Sequence, residues 1–278
     1  MHILIVDRDR DAAQALSEIL EGMGHEVEVN PSKNKAMERL KNEPFDVAMI
    51  DPAPLPSAKP MAMQLRWQER ENYLYLFVLT SDPENTEVMR SGLNGSITKP
   101  YKVERAAAKI KNAERLVGFF KKLNDNEDIR TQGAVFGKRP FQQLLLSALD
   151  RTYRYSEQGF LLFLEMSNFD EAQEELGPEV SENLTNEFSD YVARLRRMSD
   201  FLARTDKNEF VLLMQRPEDE SEPIDAAERF VVALKEYKSD YFRPSFRIRL
   251  VQLPMAKSLM ETNIDKEGNE NRVIAEKQ

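Results

Sequence analysis

The chain has 278 residues, a formal net charge of -9, no cysteine and only two histidines. That length gives room for two ordinary domains, while the composition excludes thiolate zinc sites, cysteine nucleophiles and histidine clusters, and the acidic balance argues against nucleic acid as a partner. Apolar runs such as Gly159–Leu164 are too short to cross a bilayer, and Asp7 breaks the N-terminus before a signal peptide could form, so the expectation is a cytoplasmic protein without membrane insertion.

Through the first 122 residues, short β-rich runs alternate with amphipathic stretches of helix length. The pattern predicts strands at Ile3–Val6, Glu26–Val29, Val47–Ile50, Leu74–Leu79 and Ser96–Thr98. Such alternation implies a parallel sheet covered on both faces, with ligands gathered beyond the carboxyl ends of the strands. Asp7 follows the first strand, Asp51 the third, Thr80 the fourth and Lys99-Pro100 the fifth. Met61, Met63 and Trp67 read as a helix face on the core rather than a ligand surface. A helical pattern from Tyr101 to Leu123 closes this part, and a polar linker follows over 123–135.

This order of residues resembles the receiver domain of response regulators. The resemblance implies a flavodoxin-like fold with a five-stranded parallel sheet, Asp51 as phosphoacceptor, and Asp7 and Asp51 as the acids of a magnesium pocket. It makes Thr80 the switch hydroxyl and Lys99 the phosphate-facing cation. Two positions depart from the family: Arg8 stands where a second acid is usual, and Ser96 where the switch aromatic is usual. A cation in the place of a carboxylate weighs against magnesium. Arg8 is a candidate partner for Asp51, and Asp9 a substitute acid only if its loop shifts. A phosphorylatable receiver and a receiver kept for docking both stay open.

The second domain is placed over 136–257. It opens on Phe136-Gly-Lys-Arg-Pro-Phe141, and the pattern then predicts a helix to about Tyr155 and a strand over Phe160–Glu165. A short helix to Leu176-Gly177, a long helix from Val180 to Arg197, strands Phe201–Arg204 and Phe210–Met214, a helix through Ala226–Arg229 and a strand Ser245–Val251 follow. This order is an α+β arrangement with helices on a mostly antiparallel sheet. Residues 258–278 are polar and are expected to form a disordered tail.

The stretch Arg197–Phe210, with Arg197 and Asp200 three apart and then Asp206-Lys207-Asn208-Glu209-Phe210 between two strands, resembles the centre of a diguanylate cyclase (GGDEF) domain. In that family an Arg-x-x-Asp site for cyclic di-GMP precedes a catalytic Gly-Gly-Asp-Glu-Phe hairpin. The resemblance implies that Arg197 and Asp200 bind cyclic di-GMP, with Arg229 as a second arginine and Arg194 and Arg196 as either added charge or solvated side chains. The hairpin is degenerate. Asp206 and Lys207 replace the glycines that let a triphosphate approach the backbone, Asn208 replaces a metal acid, and only Glu209 and Phe210 remain. Elsewhere Glu165 keeps one metal acid, Ser167 offers no second, and Gln173 and Glu182 replace the guanine-reading Asn and Asp with longer side chains.

The resulting expectation is a non-catalytic signalling protein that binds cyclic di-GMP and carries an atypical receiver domain for regulation or docking. Its partners would be other signalling proteins, such as a histidine kinase, and pairing of two copies stays open. The competing expectation is an interaction scaffold that binds neither nucleotide nor phosphate, with Arg197 and Asp200 as an ordinary surface ion pair.

Overall fold

The computed structural model describes residues 1–66, 73–82, 92–125, 135–217, 219, 221–255 and 257–273. Trp67 and most of the linker, 126–134, lie outside them. The chain divides into two compact units, residues 1–124 with 150–157, and residues 125–149 with 158–278.

The first unit runs β1 (His2–Val6), α1 (Arg10–Gly22), β2 (Glu26–Val29), α2 (Lys33–Asn42), β3 (Val47–Ile50), α3 (Lys59–Arg66), β4 (Tyr75–Thr80), β5 (Gly95–Thr98) and α4 (Val103–Asn124). Its strands are ordered β2-β1-β3-β4-β5, and every pairing is parallel. Ile3 to Val6, Val47 to Ile50 and Leu76 to Val78 are all buried, as strands covered on both faces must be. Leu4, Val6, Ala48, Ile50, Leu76 and Val78 pack on Leu40, Met61 and Leu65, so Met61 belongs to the core while Met63 is half-buried. The strand order reverses between β1 and β3, and Asp7 and Asp51 leave the sheet at that switch point.

The second unit contains β6 (Gly159–Met166), α6 (Phe169–Leu195), β7 (Phe201–Arg204), β8 (Glu209–Gln215), α7 (Glu222–Lys235), β9 (Phe246–Gln252), β10 (Lys257–Ile264) and β11 (Glu270–Val273), preceded by α5 (Lys138–Tyr155), whose residues from Asp150 on are assigned to the first unit. The sheet is ordered β11-β10-β9-β6-β8-β7, and its strand pairings are antiparallel. Alternate residues Phe160, Leu162 and Leu164 of β6 face Leu184, Phe188 and Val192 of α6 and Phe230 and Leu234 of α7 in one core. Gly177, at φ 79° ahead of Pro178, kinks α6 where the sequence places the break between two helices.

One expectation fails in this unit. The polar segment after 257 is not a disordered tail, because residues to 273 form a hairpin that extends the sheet. Met260, Thr262 and Ile264 are buried at alternate positions of β10. Asp265 makes the turn, accepting from the N–H groups of Glu267 and Asn269, and Gly268 takes φ 82°. Among the described residues, no helix is long and apolar enough to cross a membrane.

Candidate functional site

At the carboxyl edge of the parallel sheet, Lys99 Nζ lies 2.6 Å from Asp51 Oδ2 and 2.7 Å from Asp7 Oδ2. Asp7 is 2 % exposed in its side chain, and one ammonium bridges two converging carboxylates. Burial pulls the Lys99 ammonium down, but the hydrogen bonds and charges of Asp51 and Asp7 outweigh it and leave its pKa raised. The Ala53 N–H donates to Asp51 Oδ1 at 2.7 Å. Thr80 accepts from the Asp82 N–H at 3.1 Å, and its carbonyl accepts from the Lys99 N–H at 2.7 Å.

Arg8 does not take the part considered for it. Asp51 pairs with Lys99, and Arg8 is exposed with no ion pair among the described residues. Asp9 is not a substitute acid, because its carboxylate caps α1 by accepting from the Ala12 N–H at 3.0 Å. Sequence reasoning missed Lys33, whose ammonium donates to the carbonyls of Pro52 and Ala53 and ties down the loop after Asp51. Burial and the charge of Arg8 lower the Lys33 pKa against the pull of Asp51 and Asp7. Two carboxylates shared by one lysine, with Lys33 at the rim, weigh against a divalent metal at Asp7 and Asp51.

In the second unit the hairpin is a self-satisfied structure. Arg204 is buried and grips Glu182, with Nη1 to Oε1 at 2.7 Å and Nη2 to Oε2 at 3.0 Å. Its Nη2 also donates to the Lys207 carbonyl at 2.6 Å, and its Nε to the Asp206 carbonyl at 3.3 Å. The Asn208 side chain donates to the Met166 carbonyl at 2.9 Å, and Glu209 accepts from the Thr205 hydroxyl at 2.6 Å. Phe210 is a core residue against Phe188. Glu165 stands opposite Glu209 across β6 and β8, yet its carboxylate pairs with Arg247 on β9 at 3.3 Å. Gln173 and Ser167 are exposed. Among the described residues, no group of three acids or histidines is arranged to hold a metal.

A cavity of about 410 Å³ opens at the end of β7 and β8 away from the Asp206–Asn208 turn, lined among others by Arg197, Ser199, Asp200, Met214, Arg216 and Glu222. Arg197 and Asp200 sit in the turn between α6 and β7. The Asp200 N–H donates to the Arg197 carbonyl at 3.1 Å, and the Arg197 N–H donates to Asp200 Oδ2 at 3.3 Å. The turn is only half exposed: Asp200 is buried, and burial raises its carboxyl pKa against the opposing pull of Arg197 and Arg196. Arg196 is neither loose charge nor a solvated side chain, since its Nη1 donates to the carbonyls of Arg197 and Asp200 and braces the turn. Arg194 is exposed.

The Arg197 guanidinium pairs with Glu222 at the start of α7, not with Asp200. Arg229 does not line the cavity; it is exposed one turn beyond Ala226, which does. The second lining arginine is Arg216, at φ 52° directly before Pro217, a left-handed conformation that is costly for a side-chain-bearing residue. The sequence signal for Arg216 and Glu222 was absent, since neither falls on a motif position.

Comparison with known proteins agrees with this architecture. The family model for the response regulator receiver domain matches residues 3–111, and that for "Diguanylate cyclase, GGDEF domain" matches residues 132–249. The chain thus carries a response regulator receiver domain followed by a GGDEF domain, the make-up of a signalling protein. Curated relatives include the virulence transcriptional regulatory protein PhoP of Salmonella choleraesuis and the transcriptional regulatory protein PhoP of Escherichia coli O157:H7. Each is 26% identical over 113 residues, covering 40% of this chain and 50% of the relative, so the chain spans about half the length of the curated relatives it matches. Among solved structures, a CheY-like receiver domain from Methylobacillus flagellatus has a TM-score of 0.37 at 20% identity, covering 41% of this chain and 98% of that one. The GGDEF domain of a Pseudomonas aeruginosa protein called YfiN or TpbB has a TM-score of 0.37 at 22% identity, covering 42% of this chain and 75% of that one.

Proposed function

We propose that this chain is a non-catalytic signalling protein that binds cyclic di-GMP through Arg197 and Asp200, with the receiver domain serving regulation or docking. The observation that carries the reading is the placement of Arg197 and Asp200 together in the lining of one cavity of about 410 Å³. That volume lies in the range of small-molecule sites. A guanidinium fork donates two parallel bonds to guanine O6 and N7 or to a phosphate, and a carboxylate accepts from guanine N1 and N2. This recognition requires no metal.

Cyclase chemistry requires carboxylates for metal ions and a bare backbone at the triphosphate. Here Glu165 and Glu209 are engaged by Arg247 and Thr205, Asn208 carries no charge, and side chains stand at Asp206 and Lys207. These losses support an inactive GGDEF domain. Partners are other signalling proteins, such as a histidine kinase, in the cytoplasm. A scaffold that binds no nucleotide is the second reading, favoured by one observation: Arg197 and Lys99 both already hold carboxylates of this chain. Calorimetric titration with cyclic di-GMP, on the chain and on Arg197→Ala, separates the two.

A further inference from the structure

We infer that Glu222 sets the affinity of the cavity by occupying the Arg197 fork, so that a nucleotide enters by exchange with this carboxylate. The inference rests on the reading of the cavity as a cyclic di-GMP site.

Arg197 and Glu222 belong to different elements, the turn after α6 and the first turn of α7, and their side chains pair across the cavity lining. Glu222 is the less exposed partner, 17 % against 49 % for Arg197. Its backbone is also fixed. The N–H groups of Ser221 and Glu222 donate to Asp219 Oδ1 at 2.8 Å and 2.9 Å, and Pro223 follows directly. The acid is therefore presented by a rigid helix start, while the arginine reaches it on a long flexible stem.

A carboxylate presents two acceptor oxygens to a guanidinium in the same geometry as a phosphate or the O6/N7 edge of guanine. All three compete for one fork. Asp200 does not take part in that competition, because its carboxylate is held by the Arg197 N–H rather than by the guanidinium. A ligand that reaches Asp200 alone leaves the Arg197–Glu222 pair intact, whereas a ligand that uses both residues must displace Glu222. Glu222 thereby excludes weak single acceptors and lowers the affinity of the correct ligand by the strength of the pair.

The test replaces Glu222 by Gln, which keeps the side-chain shape and removes the charge. Calorimetry on the full chain is expected to show cyclic di-GMP binding about threefold to tenfold tighter in Glu222→Gln, the range of a partly exposed ion pair. A second readout needs no ligand: a double-mutant cycle in urea unfolding, with Arg197→Ala and Glu222→Gln singly and together, is expected to give a favourable coupling between the two residues. Binding that is equal or weaker in Glu222→Gln overturns the exchange while leaving the site reading intact. The absence of binding in both proteins overturns the two together. A cycle with no coupling removes the pair on which the exchange depends.

Discussion

Both oxygens of Glu182 are bound by one guanidinium, that of Arg204, at 2.7 Å and 3.0 Å. Glu182 is the position at which the resemblance to cyclases places a guanine-reading acid. The same arginine holds the Asp206 and Lys207 carbonyls, so one buried side chain fastens the hairpin and engages the acid at that position. Arg204→Met should therefore destabilise the protein without creating activity. Glu182 is 43 % exposed and solvent screens much of the pair, so the cost comes mainly from the turn carbonyls left without donors, about 2 kcal/mol. Urea unfolding measures it, and incubation of the wild type and the variant with GTP is expected to yield no cyclic di-GMP.

Lys99 is the counterion of two carboxylates, one of them almost fully buried. Lys99→Ala leaves Asp7 and Asp51 facing each other without the ammonium that bridges them, at an expected cost of roughly 2–4 kcal/mol. Adding Asp51→Asn should recover part of that loss by removing one of the two like charges. With Lys99 bridging both acids, magnesium with beryllofluoride is expected to leave the Ala53 amide signal, which reports on its bond to Asp51, unshifted in an NMR titration.

Burial raises the Asp200 pKa above its ordinary value of 3.8. The folded state thus holds this proton more tightly than the unfolded chain does. Its contribution to stability is full below pH 3.8 and is lost as pH rises through the raised folded value. The difference in unfolding free energy between wild type and Asp200→Asn should fall across that window and then level off. On the proposed reading, nucleotide binding should have the opposite dependence, since guanine donors require the ionised carboxylate. Affinity should decline on acidification at a higher pH than an ordinary aspartate would give.

Ile264 is 2 % exposed on β10, inside the segment expected to be a disordered tail. Ile264→Ala should cost about 2–4 kcal/mol, as for other buried aliphatic truncations. A thermal melt would reveal it, and an unchanged melting temperature would contradict the hairpin's place in the core.

The legibility of these features in the sequence follows their physics. The runs Ile3–Val6 and Val47–Ile50 read as strands because a parallel sheet buries both faces, and Asp7 and Asp51 were legible because they terminate such runs. The β10–β11 hairpin was not, since half of β10 is polar and outward-facing; the signal present, Asp265-Lys-Glu-Gly-Asn269, is a turn rather than an apolar pattern. Arg204 ends a predicted strand, and its burial rests on Glu182, 22 positions earlier, and on the Asp206 and Lys207 carbonyls. Glu222 lies in an acidic stretch that resembles a solvated loop, and its contact with Arg197 exists only in three dimensions.

The central claim is that a degenerate cyclase domain retains a nucleotide site without a metal. Isothermal titration of the full chain with cyclic di-GMP in metal-free buffer tests it directly. The expected result is saturable heat that disappears in Arg197→Ala and is unaffected by a chelator. No heat at high ligand concentration, or heat that survives Arg197→Ala unchanged, would contradict it.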